Sequence, residues 1–297
     1  MKARAGLALL FLLGFFLATA PAQPARAAEG PVKLVAAENF YGSVAHQIGG
    51  LLVQVVSILN SPDQDPHLFE ASPAVARQLA DAQIVIVNGA DYDPWVSKLL
   101  RVAPRPGRVV IDVAQLTGWK PGGNPHLWYD PDTMPKLARA LADLLAKADP
   151  DHADDYAAGL KTTMASLARL KARVYQMRAR YHGLPVTATE PVFEPMAEAL
   201  GLYMRNKRFQ TAMMNVTEPS ARDLAAFEND LKQHKVKALI YNKQVSEKLT
   251  ERLIAIAEKA KVPVVPVSET QPADTSFAGW MLAQLGALDK ALAGPDT

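Results

Sequence analysis

Cysteine is absent from the 297 residues of this chain. Its absence excludes disulfide bonds, zinc–thiolate sites, cysteine nucleophiles and a lipid-modified N-terminal cysteine. The sequence also lacks a glycine-rich phosphate loop and a Gly-x-Ser-x-Gly nucleophile elbow. Any metal site in this chain must therefore be built without thiolate ligands.

Long apolar runs are scarce, and the one that stands out lies at the N-terminus, from Gly6 to Ala20. Lys2 and Arg4 precede it, and a small-x-small cleavage site, Ala25-Arg26-Ala27, follows it. The run is shorter than the ~20 residues that a membrane-spanning helix needs, and this order is typical of a secretory signal peptide. We therefore expect residues 1–27 to be removed and the mature protein to be free in a periplasm, without a membrane anchor of its own.

An excess of positive charge is also missing once that segment is set aside. The chain has 32 Lys and Arg against 30 Asp and Glu, and the signal segment holds three of the basic residues, which leaves 29 against 30. This balance gives no indication of a nucleic-acid partner. The remaining ~270 residues are too many for one ordinary core, so two lobes are expected.

Short β-branched runs alternate with helical stretches along both halves of the mature chain. Continuous apolar strands separated by helices predict parallel βαβ units, and hence an α/β fold with two lobes, each a parallel sheet flanked by helices. Residues 151–183 contain about 30 residues of helical composition without proline, which predicts one long connecting helix. The predicted division is an N-terminal lobe at 28–150, this helix at 151–183 and a C-terminal lobe at 184–297. The predicted strands are Val32–Ala37, Leu52–Leu59, Ile84–Val87, Val109–Val113, Pro185–Ala188, Thr211–Asn215, Ala238–Tyr241 and Val264–Val267.

Two histidines of the first lobe share a local pattern. His67 follows Asp65-Pro66, and His126 follows Asn124-Pro125, each in a segment expected to connect a strand to the next helix. Proline fixes its own φ angle and restricts the residue before it, so each imidazole is presented from a stiff turn. Open α/β sheets bind ligands at the carboxyl ends of their strands, which is where both histidines are expected.

The second lobe supplies two carboxylates at matching places. Glu190 follows the strand Pro185–Ala188, and Glu269 follows the strand Val264–Val267. Two imidazoles and two carboxylates suit Mn(II), Fe(II) or Zn(II) rather than Cu(I). Each of these residues also has an ordinary structural interpretation, because a lone loop histidine is often solvated and a glutamate often serves the N-terminus of the next helix. His46, His152, His182 and His234 are scattered on predicted helices or helix ends and are not expected to be ligands.

Several short motifs, in their order along the chain, resemble the periplasmic zinc-, manganese- and iron-binding proteins of ABC importers. The motifs are Ala36-Ala37-Glu38-Asn39-Phe40-Tyr41-Gly42, Ile48-Gly49-Gly50, Asp65-Pro66-His67, Asn88-Gly89-Ala90, Asn124-Pro125-His126-Leu127-Trp128, Val186-Thr187-Ala188-Thr189-Glu190, Glu218-Pro219-Ser220 and Trp280-Met281. The resemblance covers nearly the whole mature chain.

The resemblance implies a monomeric receptor that binds one divalent ion through His67, His126, Glu190 and Glu269 and delivers it to an ABC permease in the inner membrane. In zinc-type members the third ligand is usually His, whereas Glu190 stands there in this chain. Glu269 likewise replaces a frequent Asp. The sequence leaves Mn2+, Zn2+ and Fe2+ open as the metal. A metal-dependent hydrolase, or a periplasmic metal chaperone or adhesin on the same fold, remains as an alternative.

Overall fold

The computed structural model describes residues 30–61, 66–245 and 248–294. The expected signal peptide, residues 1–27, lies outside the described residues. The strands form two parallel sheets. In chain order they are β1 (Val32–Glu38), β2 (Val53–Leu59), β3 (Ile84–Val87), β4 (Val109–Asp112), β5 (Pro185–Ala188), β6 (Tyr203–Met204), β7 (Leu239–Asn242) and β8 (Val264–Val267). The strand order is β2-β1-β3-β4 in the first sheet and β6-β5-β7-β8 in the second.

Helices connect the strands and cover the sheets. They are α1 (Asn39–Gly49), α2 (Pro73–Asp81), α3 (Pro94–Val102), α4 (Val113–Thr117), α5 (Thr133–Ala148), α6 (Ala153–Tyr181), α7 (Glu194–Ala199), α8 (Lys207–Met214), α9 (Ala221–Lys232), α10 (Lys248–Lys259) and α11 (Phe277–Ala293). Within the described ranges, no helix is both long enough and apolar enough to cross a membrane. Two parallel four-stranded sheets with flanking helices confirm the predicted fold class.

The first sheet is covered on both faces, which explains why its strands are apolar without alternation. Leu34 and Ala36 of β1 belong to the main core, whereas Val35 and Ala37 belong to a smaller cluster on the opposite face. Successive strand residues point to opposite faces, so each face needs apolar side chains of its own. Both faces of the first sheet are therefore used for packing.

The long helix α6 contains 29 residues, which corresponds to about 44 Å at the usual rise of a helix. It packs against α1, α5 and α11 and so contacts both halves of the chain. Gly159 permits a close approach to α1, because a Cβ at this position would overlap the carbonyl group of Ile48. The main core continues from the first sheet through α6 to the second sheet.

One predicted strand is wrong. Residues 211–215 do not form a strand, because Thr211 to Met214 belong to helix α8 and Asn215 follows its end. Phe209 and Met213, four residues apart, bury one face of this helix, and its residues are mostly good helix formers. The fourth strand of the second sheet is instead the two-residue β6, which is too short to produce a recognisable pattern in the sequence.

Candidate metal centre

Three neighbouring strands of the second sheet end at one edge and carry polar side chains there. Glu190 lies two residues after β5, Asn242 is the last residue of β7, and Glu269 lies two residues after β8. The three side chains are buried, with exposed fractions of 6%, 2% and 0%. Parallel strands meet at a common carboxyl edge, which places these side chains together.

The Asn242 amide connects the two carboxylates. Its Nδ2 lies 2.8 Å from Glu190 Oε2 and 2.7 Å from Glu269 Oε1. Its Oδ1 accepts the backbone N–H of Gln244 at 3.1 Å, which fixes the orientation of the amide. The sequence analysis missed Asn242, although its position at the end of a strand between those that precede Glu190 and Glu269 was a usable signal.

The loop that carries Glu269 is held by its own lobe. Gln244 Oε1 accepts the backbone N–H groups of Glu269 at 2.5 Å and of Thr270 at 3.0 Å. These bonds fix the backbone from which the Glu269 side chain projects.

The same loop is also bonded to the first lobe. Tyr92, which lies between β3 and α3, donates its hydroxyl hydrogen to Glu269 Oε2 at 2.8 Å. Four further bonds join residues of this loop to the first half of the chain: one from Tyr129 to the Ser268 carbonyl, one from Thr270 to the Ser61 carbonyl, and two between the Asn39 side chain and the Gln271 backbone. The structure therefore has the two lobes in direct contact at the candidate site.

His126 approaches the same point from the first lobe and is fully buried. It does not follow β4 directly, as predicted, because the short helix α4 (Val113–Thr117) intervenes, capped by Asp112, which accepts the Gln115 N–H. His126 instead immediately precedes a 3-10 turn at Leu127–Tyr129. His126 is therefore presented from the start of a turn, at a different place in the topology from the one predicted.

Asn124 determines which ring nitrogen of His126 carries the proton. Its Nδ2 donates to the Pro191 carbonyl at 2.7 Å and to Glu194 Oε2 at 3.0 Å, so its Oδ1 must face His126. That oxygen lies 2.8 Å from His126 Nδ1 and accepts the His126 backbone N–H at 2.9 Å. Because Oδ1 is only an acceptor, Nδ1 donates, and neutral imidazole then keeps its lone pair on Nε2.

The Nε2 atom of His126 is buried and has no hydrogen-bond partner among the described residues. It lies 3.5 Å from Glu269 Oε2. Two ligands of a tetrahedral zinc ion, each ~2.1 Å from the metal, are about 3.4 Å apart. The spacing of these two atoms therefore suits two neighbouring ligands of one ion.

The structure describes the side chain of one of the two remaining predicted ligands, Glu190, but not that of the other, His67. Glu190 stands directly before the next helical turn but makes no capping bond to it, and its Oε2 accepts a hydrogen bond from Asn242. His67 lies in a 3-10 turn, Pro66–Leu68, but its side chain is outside the described part of the structure. Within that part, no group of three or more His, Cys, Asp or Glu side chains is placed to hold a metal ion.

A second pair of carboxyl groups is buried in the first lobe. Burial, followed by the charge of Asp93, raises the pKa of Glu38 well above its usual value. Burial raises the pKa of Asp93 to about 6, although its carboxylate accepts the backbone N–H groups of Asn88 and Gly89. Burial, and then the nearby charge of Glu269, also raises the pKa of Tyr92, which therefore stays a hydroxyl donor at neutral pH.

Known proteins are similar to this chain in sequence. The family model for the periplasmic zinc-uptake complex component A matches residues 34–291. The chain is 23% identical over 228 residues to the high-affinity zinc uptake system protein ZnuA of Bacillus subtilis, which covers 70% of each protein. It is 26% identical over 149 residues to the manganese-binding lipoprotein MntA of Halalkalibacterium halodurans, which covers 48% of this chain and 49% of that protein.

Solved structures share the fold. The periplasmic zinc-binding protein TroA of Treponema pallidum superposes with a TM-score of 0.75 at 18% identity, over 89% of this chain and 99% of that one. At this level of identity the likeness concerns the fold alone.

Proposed function

This chain belongs to the family of periplasmic zinc-uptake complex components, and on that premise we propose that it is a receptor that binds one divalent transition-metal ion and delivers it to an ABC-type importer. The family match supports this function and not the metal-dependent hydrolase considered as the alternative, and we propose that the chain is no enzyme. The metal ion is its cargo.

The observation that carries the proposal is the pair formed by His126 Nε2 and Glu269 Oε2. The first atom has a lone pair and no hydrogen-bond partner among the described residues, and the second belongs to a buried carboxylate 3.5 Å away. Burying a polar nitrogen without a partner is costly, so such an atom calls for a ligand. A divalent ion between the two atoms would bond to both.

We propose that His67 and Glu190 complete the set of ligands. Glu190 is linked to Glu269 through the shared Asn242 amide, and the backbone of His67 lies in the loop after β2 at the edge of the first sheet. Two carboxylates would balance the two charges of the ion, which lowers the cost of holding it in a buried site. The four residues come equally from the two lobes.

Delivery would require the site to open. The main core runs through both sheets and α6, so wide rotation of one lobe against the other would break buried contacts. We therefore propose that the ion leaves through movements of the ligand loops when the receptor docks on its permease.

We also propose the division of the chain into units. These are the N-terminal lobe at 28–150, the helix at 151–183 and the C-terminal lobe at 184–297. The protein would act as a monomer in the periplasm after removal of residues 1–27.

Two measurements test this function. Calorimetric titration of the metal-free mature protein with Zn2+ and Mn2+ should give one ion per chain, and a bound ion should raise the melting temperature because it stabilises only the folded state. Deleting the gene in its source bacterium should slow uptake of radioactive metal. Binding of two or more tight ions would contradict the site, and unchanged uptake would favour a metal chaperone or an adhesin.

A further inference from the structure

Thr270, the residue after Glu269, bridges the two lobes with its hydroxyl group. Its Oγ1 atom lies 2.8 Å from Gln244 Nε2 and 2.9 Å from the Ser61 carbonyl oxygen. Thr270 is 1% exposed, and Ser61 lies two residues after β2 and six residues before His67. The hydroxyl therefore connects the loop that carries Glu269 to the segment of the first lobe that leads to His67.

The direction of each hydrogen bond in this chain of contacts is fixed by its neighbours. Gln244 Oε1 accepts the backbone N–H groups of Glu269 and Thr270, so the Gln244 nitrogen is the atom that faces Thr270 Oγ1. An amide nitrogen can only donate, and the Thr270 hydroxyl therefore accepts from it. The single hydrogen of the hydroxyl is then donated to the Ser61 carbonyl. Gln244 thus orients the Thr270 hydroxyl towards the first lobe.

An ion held by ligands of both lobes can leave only when the ligand loops separate. The bond from Gln244 to Thr270 lies within the second lobe and can persist during that movement. The bond from Thr270 to Ser61 crosses between the lobes and must break. A hydrogen bond between neutral groups makes a modest net contribution to stability, so this bond can slow the separation without preventing it.

We propose that Thr270 is a positioning residue whose hydroxyl, oriented by Gln244, ties the Glu269 loop to the first lobe and slows release of the ion. This inference rests on the proposed function, because it takes the ion as bound by ligands of both lobes. Thr270 acts through the loop and is not taken as a ligand itself. Loss of the tie makes separation easier, so release should become faster while binding should not become slower.

The competing explanation is that Thr270 only fills space in the second lobe. Thr270→Val keeps the shape and the methyl group and removes the hydroxyl, whereas Thr270→Ser keeps the hydroxyl and removes the methyl group. The matched control is Thr163→Val in α6, because Thr163 is also 1% exposed and its Oγ1 has no hydrogen-bond partner among the described residues. These three variants separate an effect of the hydroxyl tie from an effect of packing.

A fourth variant, Gln244→Glu, tests the direction of the bonds. A carboxylate can accept the two backbone N–H groups as the amide oxygen does, but it has no hydrogen to give to Thr270. The Thr270 hydroxyl would then donate to this carboxylate and leave the Ser61 carbonyl. The added negative charge would by itself hold a cation more strongly, so faster release from this variant would be due to the lost tie.

Release is measured by mixing the Zn2+-loaded mature protein with an excess of a coloured zinc chelator in a stopped-flow instrument. Binding is followed by tryptophan fluorescence, since the Trp128 ring lies 5.3 Å from the His126 ring. We expect release to be about five- to tenfold faster in Thr270→Val, the effect of about one hydrogen bond, with binding no slower than in the wild type. Gln244→Glu should also release the ion faster, whereas Thr270→Ser and Thr163→Val should match the wild type.

Release from Thr270→Val at the wild-type rate would overturn the inference, as would equal acceleration in Thr270→Ser or Thr163→Val, or an effect on binding alone. Circular dichroism of the metal-free proteins establishes that each variant is folded. If Thr270→Val does not fold, Gln244→Glu decides by the same two rates, and release no faster than wild type then counts against the tie. Failure of the wild-type protein to bind Zn2+ would refute the proposed function itself, so the two failures are distinguishable.

Discussion

The two lobes prepare their halves of the candidate site in different ways. The first lobe presents the His126 imidazole against a hydrogen-bond acceptor, Asn124 Oδ1, which fixes the proton on Nδ1 and leaves the lone pair on Nε2, the atom that we propose binds the ion. The second lobe presents carboxylates against a hydrogen-bond donor, Asn242 Nδ2. An imidazole needs an acceptor to select its nitrogen, whereas a buried carboxylate needs donors for its oxygens, and Glu269 has a second donor in the Tyr92 hydroxyl. An asparagine serves in both lobes: the amide oxygen of Asn124 faces the imidazole, and the amide nitrogen of Asn242 faces the carboxylates.

The comparison extends to a second pair of carboxyl groups. Burial raises the pKa of both Glu38 and Asp93 in the first lobe, and the charge of Asp93 raises the pKa of Glu38 further. Glu190 and Glu269, in the second lobe, accept hydrogen bonds from a shared amide. The first pair is suited to hold a proton, and the second pair is the one that we propose binds the metal ion.

The largest expected effect is the loss of a ligand from either lobe. His126→Ala and Glu269→Ala should each weaken Zn2+ binding by about 100-fold or more, which exceeds the usual 10–100-fold effect of losing a supporting residue. Isothermal titration measures this loss. His152→Ala and His234→Ala are the controls, since neither contacts the candidate site in the structure. Wild-type affinity in either ligand variant would remove that residue from the site.

A smaller effect is expected for the residue that orients the imidazole. Asn124→Leu should weaken Zn2+ binding by about 10- to 100-fold, because His126 would lose the acceptor that fixes its ring and its proton. Asn124→Asp keeps an acceptor oxygen beside Nδ1 and should lose less, although it gives up the donor bonds to Pro191 and Glu194. Equal losses in the two variants would show that the contact between lobes, and not the acceptor, is what matters.

The last effect is on folding stability instead of metal binding, and it concerns the pH dependence of the first lobe. The folded protein holds protons on Glu38 and Asp93 more tightly than the unfolded chain does, so their contribution to stability is present at low pH and is lost as the pH rises. For Asp93 the window is about pH 4 to 6, and the loss is about 3 kcal/mol at 1.36 kcal/mol for each pKa unit. Glu38 extends the loss upward in pH.

The test is the variant Glu38→Gln, which stays neutral at every pH. Its free energy of unfolding should fall less than that of the wild type between pH 4 and pH 8, when urea unfolding is measured on metal-free protein. Glu218→Gln, at an exposed glutamate, should follow the wild-type curve. Parallel curves for wild type and Glu38→Gln would mean that the Glu38 proton does not contribute.

Much of the fold could be predicted because its signals are local. Continuous apolar runs such as Ile84–Val87 form buried parallel strands, and the proline-free stretch before Gly183 forms α6. The prediction of a strand at Thr211–Asn215 is wrong because so short an apolar run has no clear period. The segment is helical instead, and Phe209 and Met213 are buried on one face of that helix.

The site was predictable to the extent that its residues carry a chemical signature. His126 and Glu269 were identified from their residue types at strand or turn positions, and the structure brings them together. Asn242 and Asn124 carry a weaker signature: the strand-end position of Asn242 was a usable signal, but an asparagine at the end of a strand or before a proline is common in any turn. Asn242 contacts Glu190 across 52 positions, and Glu194, 70 positions away, orients the Asn124 amide, so no local pattern encodes either arrangement.

The most direct test of one ion held between the two lobes is an anomalous difference map from crystals of the zinc-loaded protein, collected at the zinc absorption edge. The account predicts a single peak between the lobes, about 2.0–2.2 Å from both His126 Nε2 and Glu269 Oε2. A peak bound by residues of one lobe only, or one that does not touch His126 and Glu269, would contradict it.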